Sequence, residues 1–127
     1  MNKPKPTEAE LEILQILWKH GASTVGFVNE QLNEKREVGY TTTLKTMQLM
    51  SQKGILNRDT SKRKHVYQPL ISEEATQKGI VDRLLETTFG GSAMKLVMQA
   101  LGNRKTSKEE LEKIKSLIDQ IEKGGKS

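Results

Sequence analysis

The stretch VGYTTTLKTMQLMSQKGILNRDTSKRKHVYQPL, Val38 to Leu70, decides the reading of this chain, because it divides into a helix, a glycine stop and two short strands around a basic turn. Leu44, Met47 and Met50 recur on one side of the first part, while Thr42, Lys45, Gln48 and Gln52 fall on another. That 3.6-residue period predicts a half-buried helix. Gly54 ends it, since the left-handed residue that closes a helix costs glycine nothing. Beyond it, Ile55-Leu56-Asn57-Arg58 and His65 to Leu70 flank the polar tract Asp59 to Lys64, the pattern of a hairpin.

Upstream, Thr7-Glu8-Ala9-Glu10 has the form of a capping box, and Leu11, Leu14, Leu17 and Trp18 follow at helical spacing. A first helix is expected from about Glu8 to His20, stopped at Gly21. Ser23 or Thr24 then caps a shorter helix in which Val25, Val28 and Leu32 share a face, and Asn33 to Gly39 is turn-like. Three helices followed by a two-stranded hairpin describe a winged helix-turn-helix module that ends near Leu70.

Downstream, Ser72-Glu73-Glu74 opens a helical region with an N-cap hydroxyl and two acids at the positive end of the dipole. Ile80, Leu84, Leu85 and Phe89 form an apolar stripe broken by Gly90-Gly91. Ser92 caps a short helix carrying Leu96, Val97 and Leu101, closed by Gly102. Ser107 to Glu110 opens a last, strongly amphipathic helix with Leu111, Ile114, Leu117, Ile118 and Ile121 at helical spacing. So few residues in three helices bury little by themselves, and a second copy of the chain is the natural cover for these twelve positions. The alternative is that they fold back on the first domain in a monomer. The expected fold class is mainly α with a small β-hairpin: a winged helix-turn-helix domain over residues 1–71 and a C-terminal helical dimerisation domain over residues 72–127.

Composition narrows the function. The chain has 127 residues, no Cys, and a formal charge of +5. Zero Cys excludes a disulfide framework, a thiolate zinc site and a Cys nucleophile, and fits a cytoplasmic protein. No run approaches the roughly 20 apolar residues of a membrane span, and Met1 to Pro6 lacks the apolar core of a signal peptide. Residues 1–71 hold 11 Lys/Arg and 7 Asp/Glu, against 10 and 9 in residues 72–127, so the excess charge sits in the first half. Arg58, Lys62, Arg63 and Lys64 against Asp59 form its densest basic spot, which taken alone also fits a solvated loop.

In a winged helix the third helix enters the major groove, where side chains near its start meet base edges. Tyr40, Thr41, Thr42 and Lys45 are the favoured readers, with Thr46 and Gln48 beside them; Tyr40 alternatively packs at the helix start, and Thr46 faces partly inward. Arg58, Lys62, Arg63 and Lys64 on the wing contact phosphate or enter the adjacent minor groove. His20 and His65 stand apart, with no carboxylates at ligand spacing, and Gly90-Gly91-Ser92 has neither the spacing of a nucleophile elbow nor that of a phosphate loop. No cofactor, no metal and no enzyme activity are expected.

Thr7-Glu8-Ala9-Glu10-Leu11-Glu12-Ile13-Leu14, Ile16-Leu17-Trp18, Tyr40-Thr41-Thr42, Gln52-Lys53-Gly54-Ile55-Leu56 and Val66-Tyr67, taken in order, resemble the penicillinase repressor family (BlaI/MecI type). The resemblance implies a homodimeric repressor whose winged helices sit on inverted-repeat operators and whose C-terminal helices interlock. It also implies an antirepressor protease as a partner: in the antibiotic-resistance members repression ends with cleavage at an Asn-Phe bond in the C-terminal part. Gln99-Ala100 takes the matching position here, and Leu49 stands where many members carry Arg. Copper-responsive relatives end in a Cys cluster, which this chain lacks.

The expected function is a transcriptional repressor that binds palindromic double-stranded operator DNA as a homodimer and controls resistance or stress genes. The competing expectation is a winged-helix protein-interaction module in a larger assembly.

Overall fold

The computed structural model describes residues 5–102 and 105–124. The elements run α1 (Glu8–His20), α2 (Val25–Asn33), α3 (Tyr40–Gln52), β1 (Leu56–Asp59), β2 (Val66–Pro69), α4 (Glu73–Thr87), α5 (Ala93–Gly102) and α6 (Lys108–Glu122). Three helices and a hairpin make a winged helix-turn-helix, and three further helices follow. The chain divides into two compact units, the first ending at Gly79 and the second beginning at Ile80. Residues 1–4, where the expected leader-free start falls, lie outside the described residues.

Local chemistry sets the bounds of the first three helices. Thr7 Oγ1 accepts from the Glu10 N–H at 3.2 Å while Glu10 Oε1 accepts from the Thr7 N–H at 2.9 Å, so α1 begins on a complete capping box. Gly21, at φ 86°, donates its N–H to Leu17 O at 2.8 Å and stops the helix. Of the two candidate caps for α2, Thr24 fills the role through the Phe27 N–H. Ser23 instead exchanges two backbone bonds with Tyr67, at 3.0 and 2.8 Å, adding a one-residue third edge to the sheet.

The end of α3 is a Schellman motif. Ile55 N–H bonds Met50 O at 2.9 Å and Gly54 N–H bonds Ser51 O at 3.2 Å, with Gly54 at φ 84°. The side chains of Ile55 and Met50 are both fully buried, which supplies the apolar contact that accompanies this motif. β1 and β2 then pair antiparallel, Leu56 opposite Pro69 and Arg58 opposite Tyr67.

One core holds this unit together. Ile13, Leu14 and Leu17 of α1, Val25, Val28 and Leu32 of α2, and Met47 and Met50 of α3 close over Ile55, Leu56 and Tyr67. Each such side chain gains about 1.5–3 kcal/mol from leaving water, before the entropy of ordering it. Trp18 packs on the edge of this core and donates its indole N–H to Ile71 O at 3.1 Å, which pins the chain just ahead of α4.

The last three helices are built differently. Ser72, Ser92 and Ser107 hydroxyls accept from Ala75, Lys95 and Glu110 N–H groups, so all three late helices start on a serine. Gly90 and Gly91, both at positive φ, separate α4 from α5. No residue of α4, α5 or α6 is buried in the single chain. Among the described residues no helix is long and apolar enough to cross a membrane.

Candidate nucleic-acid interface

The start of α3 is held by two asparagines of α2. Asn29 Nδ2 donates to Val38 O at 3.0 Å and to Thr43 Oγ1 at 2.9 Å. Asn33 Nδ2 donates to the same Val38 carbonyl at 2.9 Å, and its Oδ1 accepts from the Val38 N–H at 3.1 Å. Thr43 is buried and also donates to Gly39 O at 3.3 Å, so the turn and the first coil of α3 share one polar network. Gly39 is the N-cap of α3 and no side chain caps it, which leaves the helix start sterically open.

With Thr43, Met47 and Met50 turned into the core, the opposite side of α3 faces solvent. Thr41, Thr42 and Lys45 lie exposed on it. Thr46 is half-buried and its hydroxyl donates to Thr42 O at 2.9 Å, so it is engaged with its own helix. Tyr40, Leu44 and Gln48, spaced four apart, form the row nearest the hairpin and line one wall of a groove.

The other wall of that groove comes from the hairpin: Arg58, Arg63, Lys64 and His65 line it, with the buried ring of Tyr67 at its base. The start of α2 at Thr24, Val25 and Gly26 closes one end. Five of the ten residues expected to meet DNA (Tyr40, Gln48, Arg58, Arg63 and Lys64) are thus brought to one concavity, while Lys62 stands exposed on the wing. Asp59 Oδ1 accepts from the Ser61 N–H at 2.9 Å, which folds the chain into the wing. The Ser61 side chain and N–H hold the Asp59 carboxyl below its ordinary range, so one negative charge stays at the foot of the cationic tip.

Sequence reasoning missed the Asn29 and Asn33 network, the groove positions Thr24, Gly26 and His65, and the Glu10–Lys53 ion pair that ties α1 to the end of α3. Two asparagines four apart ahead of a turn were the available signal for the first. The other contacts join residues distant in sequence.

The twelve apolar positions of the late helices are all exposed or half-exposed in the single chain: Ile118 is 53% exposed, Leu117 51% and Ile121 48%. Leu85, Phe89, Leu96, Leu101 and Ile114 are half-buried. Among the described residues no group of three or more His, Cys, Asp or Glu is placed to hold a metal ion.

A sequence profile described as "Penicillinase repressor" matches residues 6–120. The penicillinase repressor of Bacillus licheniformis is 28% identical over 118 residues, covering 92% of this chain and 91% of that protein. The solution structure of monomeric B. licheniformis BlaI in complex with the blaP half-operator superposes with a TM-score of 0.51 at 31% identity, over 58% of this chain and 92% of that one. A MarR family protein from Bacillus stearothermophilus superposes with a TM-score of 0.52 over 95% of this chain and 76% of that one. At 17% identity that last likeness speaks for the fold alone.

Proposed function

The chain belongs to the penicillinase repressor family, and on that premise we propose that it is a DNA-binding transcriptional repressor that occupies a palindromic operator as a homodimer. The observation that carries the proposal is the groove in which Tyr40 and Gln48 of α3 face Arg58, Arg63 and Lys64 of the hairpin. A helix wall that offers hydrogen-bonding side chains, beside a wall of cations, suits a duplex: base edges on one side, phosphates on the other. The half-operator complex of the B. licheniformis protein supports the same class of partner.

In this reading α3 lies in the major groove. Thr41, Thr42 and Lys45 meet base edges, while Arg58, Lys62, Arg63 and Lys64 hold the backbone or the neighbouring minor groove. Thr offers a hydroxyl and a methyl, and Lys45 reaches a guanine edge or a phosphate. Residues 1–71 supply this function and residues 72–127 pair two chains.

Support for the pairing lies in α4, α5 and α6, which bury nothing within one chain yet carry apolar stripes. On α6, Leu111, Ile114, Ile118 and Ile121 fall at i, i+3, i+7 and i+10, the seam of paired helices. A two-fold dimer reads two half-sites about one or two helical turns apart. Repression then follows from occupancy of the promoter of resistance or stress genes in the cytoplasm. Release by an antirepressor protease belongs to the same reading; Gln99-Ala100 lies inside α5, so a cut there needs that helix to open first.

A mobility-shift titration tests it. With a labelled fragment from upstream of the protein's own gene and excess unrelated duplex, the shifted band should persist. Equal affinity for every sequence would overturn specific repression.

A further inference from the structure

We propose that Leu49 is a specificity-determining residue that packs on the C5-methyl group of a thymine in each half-site, an inference that rests on the DNA-binding reading above. Leu49 is 47% exposed on a helix whose apolar residues otherwise serve the core or the groove wall: Met47 and Met50 are fully buried and Leu44 lines the concavity beside the wing. It stands on the solvent face with Thr42 and Lys45, seven and four residues before it, so the three form one outward stripe. A single exposed leucine is ordinary on a protein surface; one that continues a base-reading stripe is set against chemistry it must match.

The floor of the major groove offers hydrogen-bond donors and acceptors and one apolar group, the thymine methyl. A leucine side chain makes no hydrogen bond. Opposite a guanine or cytosine edge it would strip water from polar atoms and give nothing back, whereas opposite thymine it buries a methyl. Leu49 therefore selects an A·T pair both by attraction and by rejection. The rise from Thr42 to Leu49 is about 10 Å, so the thymine should lie roughly three base pairs from the position that Thr42 meets.

The test begins with duplexes enriched from a randomised pool by the full-length protein, followed by replacement of single thymines with deoxyuridine, which removes only the methyl. With the wild type, one replacement in a single half-site should weaken binding about fourfold, the value of one buried methyl, and one in each half-site about fifteenfold. L49A should bind the thymine and deoxyuridine duplexes alike at that position. Alanine keeps the helix propensity of the exposed site, so the variant folds. If the wild type enriches a motif and L49A feels every deoxyuridine as the wild type does, the role assigned to Leu49 is overturned while the repressor reading stands. If the wild type enriches no motif, the reading of a sequence-specific repressor itself fails.

Discussion

Lys53 Nζ stands 2.7 Å from Glu10 Oε2, joining the capped first turn of α1 to the residue that closes α3. The Glu10 side chain is 6% exposed and that of Lys53 48%. Burial pushes the Glu10 carboxyl up, but Lys53 together with the Thr7 N–H and hydroxyl outweighs it and holds the group below its ordinary range. The same carboxylate therefore serves the capping box and holds the far end of α3.

A pH dependence follows. The folded value lies below the unfolded one, so the contribution of Glu10 is fully present above about pH 4.5 and fades as pH falls through the folded value. E10Q should cost about 1 kcal/mol at pH 7, a modest figure because Lys53 is half in water. Urea unfolding of wild type and E10Q at pH 7 and near pH 3.5 checks this; the gap should narrow at the lower pH. Glu12, lowered by its Arg36 partner, is common to both proteins and cancels in the difference.

Asn29 should matter more for discrimination than for affinity. N29A removes one hydrogen bond from the Thr43 hydroxyl, which keeps Gly39 O, and one from the Val38 carbonyl, which keeps Asn33, at a cost of about 1–2 kcal/mol in stability. Because that network fixes where Tyr40, Thr41 and Thr42 stand, the ratio of operator to unrelated-duplex affinity should fall in competitive titrations. A variant that lost stability while keeping the ratio would remove this positioning role.

The wing makes a different prediction. R63A and K64A should weaken binding to every duplex by similar factors. A cation that no longer neutralises its phosphate lowers the slope of log K against log salt by about 0.9 per chain, and by about 1.8 in a dimer. Titrations across a salt series measure both effects.

On α6, I118E separates a paired chain from a single one. Ile118 is 53% exposed in one chain, so glutamate there is harmless to a monomer and disruptive only where a second copy covers it. Sedimentation equilibrium should show two chains per particle for the wild type and one for I118E.

Much of this architecture was legible in the residues themselves. The Thr7–Glu10 box and Gly21 bound α1 as expected, and the hairpin formed around the basic tract because both signals are local. The choice of Thr24 over Ser23 as the cap was not legible, since Ser23 is taken by Tyr67 of a strand far along the chain. The Glu10–Lys53 pair was hidden for the same reason: at 43 positions' separation neither side chain carries a sign of the other. On α3 the period separated the buried Met47 and Met50 from the exposed Thr42 and Lys45. It could not show that Tyr40 and Gln48 meet the wing across a groove, because that depends on where the hairpin packs.

The most direct measurement is a DNase I footprint of the full-length protein on the region upstream of its gene. Protection of two half-sites related by an inverted repeat, centred about one or two helical turns apart, is the predicted result. Uniform coating, or no protection at concentrations where the chain is folded and paired, would contradict the account of a two-fold, sequence-reading repressor.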